Sequence, residues 1–387
     1  MKKKVLVTPH KTMIGEEIKA SLKFSKHFEV VEDTNPYNVI DNPEGWHTKT
    51  LEQVWNEDID FVIPAHDEVM YRLSFRDSIS IERKLIFSIE PGLRDIWRFK
   101  SKTYENFPEV SPEIFDGKRN EADDYFVKPD NGQGSRGARR CYYDEALLLW
   151  DNERLVITEY LPGKEFTVDC FSDQGELKFI STRRRVETIN GISSNTRLTE
   201  TTTRIRYIAE LIMQRLKPKG TWFFQVKQDA SGELKLLEIA PRIAGSSAIN
   251  RFNNVNLTEL SLWRKTGKSV EVVPQDFCTE YKRKLGKTEY ATNSISNVIY
   301  TDLDDTLTMD GTPNHLLLGK LHQKMYQKCQ VIILTRSTIF EMNPWIADLD
   351  HDFGRPTYVH HDKDKNFFMM PGSLLIDDSF RERNAVI

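Results

Sequence analysis

Lys128 closes the apolar run Phe126-Val127-Lys128, and a glycine-rich turn follows it, Asp130-Asn131-Gly132-Gln133-Gly134-Ser135-Arg136-Gly137. Backbone N–H groups in such a turn approach phosphates closely, and the ammonium adds a point charge. A glycine-x-glycine-x-x-glycine string is weak by itself. The strand-like Ala138–Tyr143 after it also excludes a dinucleotide fingerprint, which needs a helix there. A hairpin with a surface lysine is the plain alternative. The second group is Tyr300-Thr301-Asp302-Leu303-Asp304-Asp305-Thr306, where carboxylates two residues apart follow an apolar strand. One such carboxylate can attack phosphorus while the other moves a proton. Their repulsion calls for a cation, and the distant pair Asp377-Asp378 follows another apolar run, Ser373–Ile376. Thr335, together with Lys363 or Lys365, can supply a hydroxyl and an ammonium to a phosphate. An EF-hand loop is excluded, because the glycine and the terminal glutamate are missing at the required spacing.

Further residues extend the first group. The segment Ile157–Asp169 includes Glu159, Tyr160, Leu161 and Glu165; it offers hinge backbone groups to a purine and a carboxylate to ribose hydroxyls. Gln225 and Glu238 fall on neighbouring strands joined by the turn Asp229-Ala230-Ser231-Gly232, and such oxygens suit Mg²⁺ alongside substrate phosphates. The run Arg183-Arg184-Arg185, with Arg204 and Arg206, can fork onto an anion or form a solvated strand face.

The elements that must hold these residues fall into three units. Strands alternate with helices over roughly residues 1–95, which predicts a small parallel α/β domain. Residues 96–273 carry mostly strands and one clear helix from about Thr202 to Leu216, an α+β texture with an antiparallel sheet. A polar stretch at 274–296 reads as a linker, and 297–387 as a second α/β unit. The fold class expected is therefore α/β and α+β, multidomain. Trp222-Phe223-Phe224 reads as core rather than a base-stacking platform. His360-His361 with Asp362 and Asp364 reads as a polar loop rather than a metal site.

Composition bounds the function. The chain has 387 residues, 39% hydrophobic and 29% charged, which suits several packed cores rather than disorder. Apolar runs are too short to cross a membrane. From Asn297 onward 13 acidic side chains face 9 basic ones, which accounts for the whole formal charge of -4 and leaves the remainder neutral. That balance, with no recognised motif, argues against a nucleic-acid partner. Cys141, Cys170, Cys278 and Cys329 suit neither a zinc site nor a disulfide framework. The N-terminal Lys2-Lys3-Lys4 and short apolar run read as a first strand rather than a signal peptide, so a cytoplasmic location is expected.

From Lys4 to Gly267 the motifs resemble the ATP-grasp superfamily, in particular its carbamoyl-phosphate-synthase-like and carboxylate–amine ligase branches. The resemblance includes Ile63-Pro64-Ala65-His66-Asp67-Glu68 and Phe99-Lys100-Ser101-Lys102-Thr103-Tyr104. It implies a pre-ATP-grasp α/β domain followed by an ATP-grasp fold. It also implies ATP and Mg²⁺ as cofactors, Lys100 and Lys128 as ATP lysines, and Glu159 to Leu161 as adenine hinge. Glu165 would be the ribose contact, Gln225 and Glu238 the metal ligands, and Arg242 a phosphate contact. The family usually has asparagine two residues after the metal-binding glutamate; this chain has Ala240. A methyl group cannot coordinate Mg²⁺, which makes Ser246 or Asn250 the neighbouring substitutes.

From Ser296 to Ile387 the ordered set Asp302-x-Asp304-x-Thr306, Thr335, a lysine and Asp377-Asp378 resembles the haloacid-dehalogenase (HAD) superfamily. This implies a small HAD-like Rossmannoid domain with Asp302 as phosphoryl acceptor, Asp304 as general acid/base and Mg²⁺ on Asp302, the Asp304 carbonyl and Asp377, with Asp378 beside them. About 33 residues separate Asp302 from Thr335, too few for a lid, so the domain is expected to be capless. Together the resemblances imply an ATP-dependent ligase joining a small-molecule carboxylate to an amine, fused to a phosphatase acting on a pathway phosphoester. The alternative is an ATP-binding regulatory module with only the phosphatase catalytic. A nucleic-acid end-processing kinase–phosphatase is a third reading, disfavoured by the neutral charge.

Overall fold

The computed structural model describes residues 2–23, 25–74, 83–88, 90–119, 123–132, 134–189, 192–275, 278–284, 287–292, 297–337, 353–354, 357–360 and 362–386. Gln133, Ser296 and His361, named above, lie outside the described residues. The chain divides into two compact units, Met1–Thr292 and Asn293–Ile387. Among the described residues no helix is long and apolar enough to cross a membrane.

The first unit opens with a parallel sheet of β1 (Lys3–Thr8), β2 (Phe28–Val31) and β3 (Phe61–Pro64) in the order β2-β1-β3. Val5, Leu6 and Val7 of the central strand are fully buried, so this strand reads as a continuous apolar run instead of an alternating one. A three-stranded antiparallel sheet follows, with β4 (Tyr125–Pro129) between β5 (Arg139–Cys141) and β6 (Leu155–Glu159). The largest sheet contains β7 (Glu165–Asp173), β8 (Glu176–Ile189), β9 (Ile192–Thr199), β10 (Gly220–Gln228), β11 (Leu234–Ala240), β12 (Cys278–Lys284) and β13 (Lys287–Thr292). Its order is β11-β10-β7-β8-β9-β12-β13.

Alternation along β7 and β10 sends Val168, Cys170, Trp222, Phe224 and Val226 to one face, where they form one core with Ile205, Ile208, Ala209 and Ile212 of the helix Thr203–Leu216. Thr202 caps that helix through the Ile205 N–H, and Lys217 ends it in the left-handed conformation. All three residues of Trp222-Phe223-Phe224 are buried. The intervening residues, Thr167, Phe223 and Gln225 among them, face the other way. The same core includes Val5, Val7, Phe28 and Ile63, so residues 1–95 and the following region share one compact unit.

The expected linker at 274–296 is corrected. Among its described residues, β12 and β13 form a hairpin that extends the large sheet, with β12 paired to β9 through Glu280↔Arg197 and Tyr281↔Thr196. Thr279, Glu280 and Lys282 give the strand a polar side; Cys278 and Tyr281 are buried against Ala248 and Ile249. A strand near the sheet edge with one polar face has the composition of a linker, which is why the sequence misleads here.

The arginine run is divided by the same alternation. Arg183 is fully buried and forks onto Asp169 at 2.6 and 2.9 Å, with Asn250 Nδ2 donating to the same carboxylate at 2.8 Å and Arg183 donating to Ser246. Arg184 and Arg206 are exposed. Arg204 pairs with Glu233 at 2.8 Å.

In the second unit four parallel strands are ordered β18-β17-β14-β19: β14 (Val298–Thr301), β17 (Gln330–Thr335), β18 (Thr357–Tyr358) and β19 (Leu374–Ile376). A short hairpin of β15 (Thr308–Met309) and β16 (Thr312–Pro313) follows the turn after β14. The helix His315–Tyr326 buries Leu318 and Leu321 against Val331 and Ile333.

Breaking a buried ion pair leaves an uncompensated charge and typically costs about 3–5 kcal/mol. Asp169→Ala is therefore expected to lower the thermal midpoint of the first unit strongly, whereas Arg184→Ala leaves it nearly unchanged; calorimetry of both variants tests this.

Candidate functional site

In the first unit a cleft opens between the three-stranded sheet and the large sheet. Lys100, Lys128, Gly134, Ser135 and Glu165 line it, as do the hinge residues Glu159, Tyr160 and Leu161 and the strand residues Gln225 and Glu238. These residues come from four stretches of chain.

Lys128 is the last residue but one of β4, with its side chain turned inward and buried; its Nζ donates to the Tyr104 hydroxyl at 2.7 Å. Tyr104 in turn donates to the Leu237 carbonyl at 2.9 Å. Burial, reinforced by the nearby Lys100 and opposed by Glu238 and Glu165, lowers the Lys128 pKa to about 7. Lys100 heads the helix Lys100–Asn106 and donates to the Gly132 carbonyl at 2.8 Å. Ser101 binds Asp130 through its backbone N–H and hydroxyl, both at 2.7 Å, which fixes the glycine-rich turn to the start of that helix. The turn passes close over Pro129: a Cβ at Gly132 would lie 3.0 Å from the proline ring, and Gly137 has φ +71°.

Gln225 and Glu238 are direct cross-strand partners, and the register between β10 and β11 shifts immediately beyond them. That irregularity accompanies the use of the Leu237 carbonyl by Tyr104. Arg185 completes this floor. Its guanidinium is paired with Glu165, and Nη1 also donates to Gln225 Oε1 at 3.3 Å. Tyr160 at the hinge lies under the Arg140 guanidinium at 4.6 Å.

Three expectations are revised. Arg242 does not line the cleft; its guanidinium forks onto Asp67 and donates to the Ile243 carbonyl at 3.0 Å. Burial alone would raise the Asp67 carboxyl, but Arg242 outweighs it and holds it below the usual range. Ser246 and Asn250 are engaged by Arg183 and Asp169, so neither is disposed to replace an oxygen at position 240. Arg185, of the arginine run, and Lys227 also line the cleft, and Tyr104 supports Lys128. Helical spacing from Lys100 to Tyr104 and strand alternation from Gln225 to Lys227 were the signals available for two of them.

In the second unit the carboxyl ends of three neighbouring parallel strands bring Asp302, Thr335 and Asp377 together, where open α/β sheets offer a crevice. Asp302, Asp377 and Asp378 each offer an oxygen, all within 4.8 Å of one another. Lys365, almost fully buried, donates to Asp302 and to Asp377 Oδ2 at 2.6 Å. Burial raises the Asp302 carboxyl to about 7; Lys365 opposes this and Asp377 adds to it. Asp304 accepts from Thr335 Oγ1 at 3.4 Å and from the Ser337 hydroxyl.

The choice left open between two lysines falls to Lys365. The Lys363 ammonium lies 5.2 Å from the Phe367 ring centre, so this candidate is corrected. The loop is aimed by residues that sequence reasoning missed. Arg336 donates to the His360 and Lys363 carbonyls at 2.9 and 2.8 Å and pairs with Glu382, whose other oxygen accepts from the Lys365 N–H at 3.0 Å. His360 pairs with Asp362 at 2.6 Å, both exposed.

The two donor sets differ in chemistry. An amide oxygen beside one carboxylate suits a hard cation that keeps phosphate ligands, and three clustered carboxylates suit a cation with its own protein cage.

Residues 151–307 match a family described as "ATP-grasp in the biosynthetic pathway with Ter operon". No curated protein sequence matches the chain. Among solved structures, the biotin carboxylase domain of Hydrogenobacter thermophilus 2-oxoglutarate carboxylase, in complex with MgADP, ADP and bicarbonate, is similar. Its identity is 14% and its TM-score 0.58, over 73% of this chain and 74% of that one. N5-carboxyaminoimidazole synthetase from Staphylococcus aureus, complexed with ADP, matches at 14% identity and TM-score 0.57, over 74% and 84%. L-amino acid ligase from Bacillus licheniformis matches at 14% identity and TM-score 0.53, over 73% and 79%. With the family match and these structures in agreement, the chain carries the ATP-grasp fold.

Proposed function

We propose that the chain is an ATP-dependent carboxylate–amine ligase whose second unit is a HAD-type phosphatase. The observation that carries the ligase reading is the convergence of Lys100, Lys128, the Gly134–Ser135 turn, the Glu159–Leu161 hinge and the Gln225–Glu238 pair on one cleft. Nucleotide-bound relatives of the same fold support ATP and Mg²⁺ as its ligands.

In this reading the hinge backbone takes the purine, and Lys128 leaves the Tyr104 hydroxyl for a phosphate oxygen. Lys100 exchanges the Gly132 carbonyl for the same chain of phosphates. A divalent cation on Gln225 and Glu238 would neutralise charge on the phosphates as the terminal phosphoryl group is transferred. A carboxylate oxygen attacks that phosphorus and ADP leaves; the amine then attacks the acyl carbon and phosphate leaves. The protein contributes chiefly alignment and charge.

The second site supports phosphomonoester hydrolysis. Asp302 attacks phosphorus while Thr335 and Lys365 hold the phosphoryl oxygens, and Asp304 protonates the leaving oxygen. Asp304, held by Ser337 and Thr335, then deprotonates the water that releases phosphate from Asp302. A cation on Asp302, the Asp304 carbonyl and Asp377, with Asp378 beside it, would act as Lewis acid on the phosphoryl group. Ala240 favours a second reading, in which the ATP-grasp part binds nucleotide as a regulatory module and only the phosphatase turns over.

Three outcomes are expected. Purified protein releases ADP only when a carboxylate and an amine are both supplied, and Glu238→Ala lowers that rate by at least about 100-fold, the scale of losing an electrostatic group at a transition state. ATP binding without ADP release across a metabolite panel would favour the regulatory reading. Asp302→Asn abolishes hydrolysis of phosphomonoesters without changing nucleotide affinity, checked by phosphate release and calorimetry. Lys128→Met should abolish nucleotide binding and yet raise the thermal midpoint at pH 7. A lysine lowered from 10.5 to about 7 opposes folding fully below pH 7. Removing it stabilises by a few kcal/mol at most, roughly, and the gain disappears as pH rises toward 10.5. A lower midpoint at pH 7 would contradict the assignment.

A further inference from the structure

The floor of the nucleotide cleft is poor in metal ligands and rich in fixed positive charge. Gln225 and Glu238 are the paired oxygen donors on β10 and β11. The next position facing the same way along β11 is Ala240, packed with Phe223 and Ala244. Ser246 and Asn250 are both tied into the buried Arg183–Asp169 network, and the Asp67 carboxylate, which lines an adjoining pocket with Glu238 and Ala240, is held by Arg242. Beside the pair lies the Arg185 guanidinium, its side chain only 8% exposed, shared between Glu165 and the Gln225 oxygen.

We propose that Arg185 takes the place of a second divalent cation, so that the cleft holds its nucleotide with one divalent cation, on Glu238 and Gln225, and one guanidinium. This rests on the nucleotide reading of the cleft given above. A guanidinium offers planar, paired N–H donors that match phosphate oxygens, and unlike an ammonium it stays charged when buried. Glu165 and Gln225 hold it in place before any ligand arrives, so little side-chain freedom is lost when a phosphate docks.

Charge balance points the same way. The cleft lining has five cationic side chains against three carboxylates. With Lys128 protonated against phosphate, one divalent cation brings this excess level with the roughly four negative charges of a triphosphate. A second divalent cation would leave the filled cleft positively charged, with Arg185 in its immediate repulsion. A single cation bound by one carboxylate, one amide oxygen, phosphates and water is an ordinary Mg²⁺ environment.

The test counts metal directly. Full-length protein is equilibrated with Mn²⁺ and β,γ-imido-ATP, and bound Mn²⁺ is measured by electron paramagnetic resonance against bound analogue. The Mn²⁺ taken up by the protein alone is subtracted, so that any ion held by the acidic cluster of the second unit is not counted. One nucleotide-dependent Mn²⁺ per bound analogue is expected. Arg185→Met should weaken analogue binding by about tenfold, the loss of a charge-assisted hydrogen bond, and Arg185→Lys by less. A ratio of two in the unmodified protein overturns this inference and leaves the nucleotide reading standing, as does unchanged affinity in a folded Arg185→Met. Failure of the unmodified protein to bind the analogue overturns both.

Discussion

Lys128 carries its amine into a place where a charge is costly, and the Tyr104 hydroxyl is what receives it. That phenol donates in turn to the Leu237 carbonyl, so one short chain of hydrogen bonds joins β4, the helix Lys100–Asn106 and the strand bearing Glu238. The rest of the cleft depends on this arrangement. A lysine held partly neutral before ligand arrives, and charged once phosphates surround it, gains interaction energy only when the nucleotide is in place. Lys100 behaves similarly, resting on a carbonyl of the turn that a phosphate would displace.

The second site solves a related problem with opposite signs. Three carboxylates crowd together at strand ends, and Lys365 lies between two of them. The lysine is kept there by Arg336 and Glu382, which fasten the loop on either side of it. In both sites a charge in an unfavourable setting is held by neighbours that do no chemistry themselves.

Much of this was legible in the sequence, for identifiable reasons. Gln225 and Glu238 lie at fixed offsets from one hairpin turn, so alternation puts both on one face of the large sheet, and Lys128 stands beside the glycine-rich turn of the other sheet. Asp302, Thr335 and Asp377 each follow an apolar strand, and parallel pairing brings those ends together. Lys363 and Lys365 could not be separated, because the answer depends on Arg336 and Glu382, far apart in sequence. The pairing of Arg242 was hidden for the same reason: its partner, Asp67, opens a helix 175 residues earlier. The hairpin of β12 and β13 passed for a linker because its burial is on one side only. Contacts made across the sheet, rather than along it, are what a single sequence conceals.

The central claim is that the cleft between the two antiparallel sheets is where a nucleotide binds. Amide hydrogen exchange of the full-length chain, with and without β,γ-imido-ATP and Mg²⁺, addresses it most directly. Slower exchange is predicted in the turn around Gly134 and Ser135 and in the hinge around Tyr160, with strands β14 and β19 unaffected. Unchanged exchange in the turn and hinge at saturating analogue would contradict it.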